Sequence, residues 1–159
     1  MLANGIVMSK IIQLIQLWGG CNETLLNLLQ KLQNRAARLV TRQPWNTSVS
    51  ANLSQCGWLS VRQLVAYHSL LQVYKTRTTK LPLHLYKKLS TDFIYNTRLA
   101  KGNGIQMNRK MHSELAKNNF CYRSIKLWNK LPNHIKQSES LSKCKQHLKI
   151  WIKNNINIE

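Results

Sequence analysis

A chain of 159 residues is the natural size of one domain, and its 43% hydrophobic content is enough for a core and too much for a disordered segment. Twenty-four Lys and Arg against five acids leave a formal charge of +19. That balance makes a polyanion the expected partner, with nucleic acid ahead of an anionic membrane surface.

Residues 5–17 read as a short apolar helix ended by Gly19-Gly20. Residues 22–42 read as a second helix. Leu25, Leu28, Leu29, Leu32, Ala36 and Leu39 recur at the spacing of one helix face and are its expected core stripe. Lys31, Arg35, Arg38 and Arg42 follow the same spacing on a neighbouring face, roughly a quarter to a third of a turn away. Residues 44–54 are rich in Asn, Ser and Thr and read as loop. Ser60 with Gln63 makes a capping box, so a helix is expected from Val61 to about Thr78, with Leu64, Tyr67, Leu71 and Tyr74 on its core face.

Leu81-Pro82 opens another short helix, to about Leu89. Between residues 92 and 112 the helical period is lost. Alternation around Asn103-Gly104 there suggests a small β-hairpin over residues 93–110. Helix returns over 119–130, where Ile125 and Trp128, with Leu131, are expected in the core, and Pro132 starts a further turn. The last helix begins near Ser140, with Leu141, Cys144, Leu148, Trp151 and Ile152 as its core stripe. The expected fold is therefore mainly α and helical bundle-like, with a helical hairpin over 1–43 and a helical region over 44–159 forming one compact unit.

Acids are scarce. Glu23, Asp92, Glu114, Glu139 and Glu159 are each isolated. Two-metal polymerase or nuclease chemistry needs clustered carboxylates, and glycoside hydrolysis needs a pair. These acids are instead expected to be ion-pair partners, and no catalytic activity is expected. Cys121, His134, Cys144 and His147 fit no standard zinc spacing, and Cys144 falls on an apolar helix face. No metal and no cofactor are expected. No C-x-x-C pair occurs among the four cysteines, which read as free thiols. Lys10, Gln13 and Gln16 make the start too polar to span a bilayer, and it lacks a signal-peptide layout. The expected location is cytoplasmic and nuclear, not secreted, and the sequons at Asn22, Asn46 and Asn52 carry little weight.

Basic residues beside aromatics are the positive signal. Trp45 lies near Arg42, Tyr95 near Arg98, Tyr122 beside Arg123, and Trp128 near Lys126 and Lys130. Cations neutralise phosphates, and aromatics stack on unpaired bases. Trp18, Trp58, Trp128 and Trp151 sit among aliphatics at helical spacing and are expected in the core. Trp45 and Tyr95, in loop-like segments, are the better stacking candidates. The candidate nucleic-acid contacts are Lys31, Arg35, Arg38, Arg42, Arg98, Arg123, Lys126 and Lys130.

Three stretches together resemble one family. "LWGGCNETLLNLLQKLQNRAARLVT" (17–41), "GWLSVRQLVAYHSLLQVYKT" with "LPLHLY" (57–86), and "YNTR" with "YRSIKLWNKLPNHIKQSESLSKCKQHLKIWI" (95–98, 122–152) are similar, in order and spacing, to the part of jockey-like LINE reverse transcriptases that follows the catalytic palm. The more specific pieces are Gln33-Asn34-Arg35-Ala36-Ala37-Arg38 and Trp128-Asn129-Lys130-Leu131-Pro132. The resemblance implies a thumb-like region over 1–43 and a post-polymerase region after it, belonging to an RNA-directed DNA polymerase of non-LTR retrotransposons. The Tyr-x-Asp-Asp motif of that catalytic palm does not occur in this sequence. The expected role is therefore non-catalytic gripping of template or primer. RNA or DNA and the upstream polymerase domain are the expected partners, with no membrane and no small-molecule substrate. The alternatives are an interaction module packing on that upstream domain and a domesticated remnant gene.

Overall fold

The computed structural model describes residues 4–44, 46–89, 104–105 and 113–156, and in these it is mainly α, with ten α-helices and no strand. Of the hairpin expected over 93–110 only Gly104 and Ile105 are described. Trp45, Tyr95 and Arg98 lie outside the described residues. The chain divides into two compact units, one from residues 1–65 and 153–159, the other from 66–152.

In the first unit the expected continuous helix over 5–17 is broken. A π-helical turn, Asn4–Met8, leads into α1 (Ser9–Ile12), and α2 (Ile15–Trp18) follows after a left-handed Leu14, φ 52°. The break has a local satisfaction. Leu17 N–H donates to the Leu14 carbonyl, and the indole N–H of Trp18 donates to the carbonyl of Gln13 at 2.8 Å. Buried Gly19 then lets this segment approach the start of the long helix that begins at Val61: a Cβ there would lie 2.7 Å from Val65 Cγ1.

Helix α3, Glu23–Thr41, starts where Asn22 accepts from Thr24 N–H at 2.8 Å, an N-cap of the preferred kind. Its buried face is not the leucine stripe. Leu26, Gln33 and Ala37 are buried, while Leu25, Leu28, Leu32 and Leu39 are 51–81% exposed. Polar partners decide the orientation. Gln33 donates to the carbonyl of Leu59 at 2.8 Å, and Gln30 accepts from Val61 N–H at 2.8 Å. Small Ala37, fully buried, lets the backbones come close, with Cys56 Sγ 3.9 Å from its carbonyl oxygen. A buried amide with its hydrogen bonds made costs little, so hydrophobicity alone does not choose the face.

The segment 44–54 is not all loop. Ser48 caps α4 (Val49–Gln55) by accepting from Ala51 N–H at 3.3 Å, and Leu53 is 1% exposed. The capping box forms as expected. Gln63 N–H donates to Ser60 Oγ at 3.3 Å, and Ser60 N–H to Gln63 Oε1 at 3.1 Å. It opens α5, Val61–Thr79, whose first turn belongs to the first unit and whose remainder runs in the second. Residues on all faces of α5 are buried, including Val61, Leu64, Leu70, Val73 and Tyr74; Leu71 joins them, and Tyr67 is half-buried.

In the second unit α6 (Leu83–Leu89) and α7 (Glu114–Lys117) precede α8, Phe120–Lys130, capped by Asn119. Ile125, Trp128 and Leu131 are 2–5% exposed, as expected. Pro132 caps the single turn α9, Asn133–Lys136. In α10, Leu141–Asn155, Cys144, Leu148 and Ile152 are buried; Trp151 is half-buried and Leu141 lies open. The Asn129 side chain clamps Ile105 by two bonds, accepting from its N–H at 2.8 Å and donating to its carbonyl at 2.9 Å.

Candidate functional site

Helix α3 carries three distinct faces. At about 100° per residue, the buried face (Leu26, Gln30, Gln33, Ala37) is flanked on one side by the open leucines and on the other by Lys31, Arg35 and Arg38. Lys31 and Arg35 are exposed and Arg38 is half-buried. Arg42 follows as the left-handed C-cap, φ 53°, and is also exposed. Arg35, Arg38 and Arg42, with Leu39 and Gln43, line one open cleft of about 610 Å³. Lys31 shares the face one turn earlier but does not line the cleft.

This cleft has no carboxylate counterpart among the described residues. Glu23, Glu114 and Glu139 are each paired elsewhere, with Arg62 at 2.5 Å, Lys117 at 2.6 Å and Lys143 at 2.5 Å, as expected for acids in so basic a chain. Arg38 Nε is buried with no hydrogen-bond partner. An unmet guanidinium donor beside two further arginines is an environment that favours an anion. Its geometry suits phosphate oxygens, which guanidinium groups bind through two parallel N–H donors. Leu39 and Gln43 belong to the cleft as well. The spacing of the cations alone did not point to them, since neither is charged.

The remaining candidates belong to the second unit. Lys126 and Lys130 are exposed on α8, facing away from Ile125 and Trp128. Arg123 is half-buried and donates from Nε to the Asn118 carbonyl at 2.9 Å, so part of its side chain serves the start of its own helix. Sequence reasoning missed Arg77. Its guanidinium lies 5.6 Å over the Trp128 ring, and burial pushes its pKa down, with Tyr86 opposing. Burial likewise pushes Lys136 down, and Arg77 adds to the effect. No charge period marks these two, because they lie far apart in sequence.

The rings of His134 and His147 meet edge to face, centroids 6.0 Å apart. Cys144 is buried, and burial pushes its thiol up to about 11, which leaves it protonated and a poor nucleophile or ligand. Among the described residues no group of three or more His, Cys, Asp or Glu is placed to hold a metal ion. No described helix is long and apolar enough to cross a membrane. No protein-family model, curated protein or solved structure matches this chain.

Proposed function

We propose that this chain is a non-catalytic nucleic-acid-binding piece of a non-LTR retrotransposon reverse transcriptase, gripping the sugar-phosphate backbone of template or primer through α3. The observation that carries the reading is the cleft in which Arg35, Arg38 and Arg42 stand together with no acid among its lining residues. Lys31 extends that face, while Lys126 and Lys130 offer further phosphate contacts in the second unit. The sequence resemblance over residues 17–152 supplies the family, and cytoplasm and nucleus are the compartments where such a piece would act. Backbone gripping needs cations and no metal, so the scarcity of acids suits the role.

Binding to short labelled RNA and DNA at low and moderate salt tests this. The expected result is a mobility shift at low salt that weakens steeply as salt rises, with little dependence on sequence. Charge reversal by Arg35→Glu with Arg38→Glu is expected to weaken binding across all sequences and lower the salt slope by about 1 for each phosphate no longer neutralised. Absence of any shift at low salt overturns the reading. Unchanged affinity in the double variant removes α3 from it.

A further inference from the structure

The uncovered leucines of α3 play no part in phosphate binding. Leu25, Leu28 and Leu32 are 51–56% exposed, an open row at helical spacing. The chain's first turns continue the surface. Ile6, Val7, Ile11 and Trp18 face Leu29 and Leu32 across an open cleft of about 540 Å³, with Lys10 as the charged residue in its lining. Ile6 is itself 65% exposed. Scattered exposed leucines need no explanation, but a contiguous apolar cleft does.

We propose that this cleft docks an acidic amphipathic helix of a partner protein. The shape is that of a groove between the N-terminal segment and α3, which accepts the ridge of a helix with apolar residues at i, i+3/i+4 and i+7. Charge selects the kind of helix. Lys10 lines the groove, Lys31 and Arg35 border Leu28 on α3, and the one acid of α3, Glu23, is engaged by Arg62. A partner helix with acidic flanks is therefore attracted and a basic one repelled. A second copy of the chain would bring +19 against +19 and is disfavoured by the same sign rule. A flat lipid surface would rest on the exposed leucines and leave the recessed Ile11, 8% exposed, and half-buried Trp18 unfilled. The groove's α3 wall, Leu29 and Leu32, is separate from Arg35, Arg38 and Arg42 of the arginine cleft, while Lys31 and Arg35 border both faces.

The test uses the full chain and a synthetic helical peptide with Leu on one face and Glu on the others. A control peptide has the same composition shuffled so that the face is erased. Fluorescence anisotropy of the labelled peptides is expected to give binding about tenfold tighter for the faced peptide than for the shuffled one. Leu28→Gln with Leu32→Gln is expected to weaken that binding about tenfold or more, with RNA binding and the circular dichroism melt unchanged. Because these side chains are exposed and the substitutions are neutral, neither folding nor charge confounds the result. Ile6→Gln, on the other wall, is expected to act in the same direction. Equal binding of both peptides, or no effect of either variant, overturns the proposal. So does leucine-dependent self-association in sedimentation, or leucine-dependent binding to neutral phosphatidylcholine vesicles.

Discussion

Asn129 shows how much a single polar side chain can decide. It sits inside Trp128-Asn129-Lys130-Leu131-Pro132, and each member of that motif has a separate task. Trp128 and Leu131 fill core, Lys130 points outward and Pro132 caps the next turn. Asn129 supplies both partners to the backbone of Ile105, which is 1% exposed. Asn129→Ala leaves a buried N–H and a buried carbonyl unpaired and is expected to cost about 2–4 kcal/mol in urea unfolding. Asn129→Asp keeps the acceptor, loses the donor and is expected to remain destabilised. Titration offers a second check. Burial, and then Lys75, push His68 below its ordinary 6.5. A base whose folded pKa is lowered is charged more readily when unfolded, so its contribution is complete above 6.5 and declines as pH falls below it. The urea midpoint is therefore expected to drop below pH 6.5 in the native chain, with a shallower drop in His68→Gln. Neither role was legible beforehand: the clamp's partner lies 24 positions away, and local pattern does not fix the half-buried setting of His68.

Helix boundaries were the most legible part of the elements, because their signals are local. The Ser60/Gln63 box reads directly from sequence and forms reciprocally. Ser60→Ala is expected to cost about 1 kcal/mol in a thermal or urea melt. Faces were less legible. In α3 the period of the leucines is real, yet they lie open, and the helix docks through Gln30, Gln33 and Ala37. A hydrophobicity count treats Gln as outward-facing, while here two glutamines satisfy backbone groups at residues 59 and 61. The basic face fared better. Its distance from the leucines follows from helical geometry alone, and Arg35, Arg38 and Arg42 do meet in one cleft. α4 was missed because its Asn and Ser content resembles loop, whereas Ser48 is a cap and Leu53 an anchor. The helix expected over 5–17 was broken at Leu14 by a left-handed residue that no local signal announces.

At the scale of the whole molecule, charge is the governing quantity. Three of the five acids neutralise Arg62, Lys117 and Lys143, and among the described cations Lys31, Arg35, Arg42, Lys126 and Lys130 are exposed. The affinity for RNA or DNA is accordingly expected to fall with a log–log salt slope set by the number of phosphates neutralised, about 0.9 for each on duplex DNA. A slope near zero in a salt titration would remove the electrostatic basis of binding. By itself the sequence determined the mainly α character, most helix ends, the excess of cations and the spacing of the basic stripe. All of these depend on neighbours within a few turns of the same chain. Only the tertiary structure decided which face of α3 is buried, that Arg38 Nε is left without a partner, and that an apolar cleft stays open beside the leucines. Those outcomes depend on hydrogen bonds between residues 25 or more positions apart, such as Gln33 with Leu59 and with Met8, and helical periodicity carries no information about them.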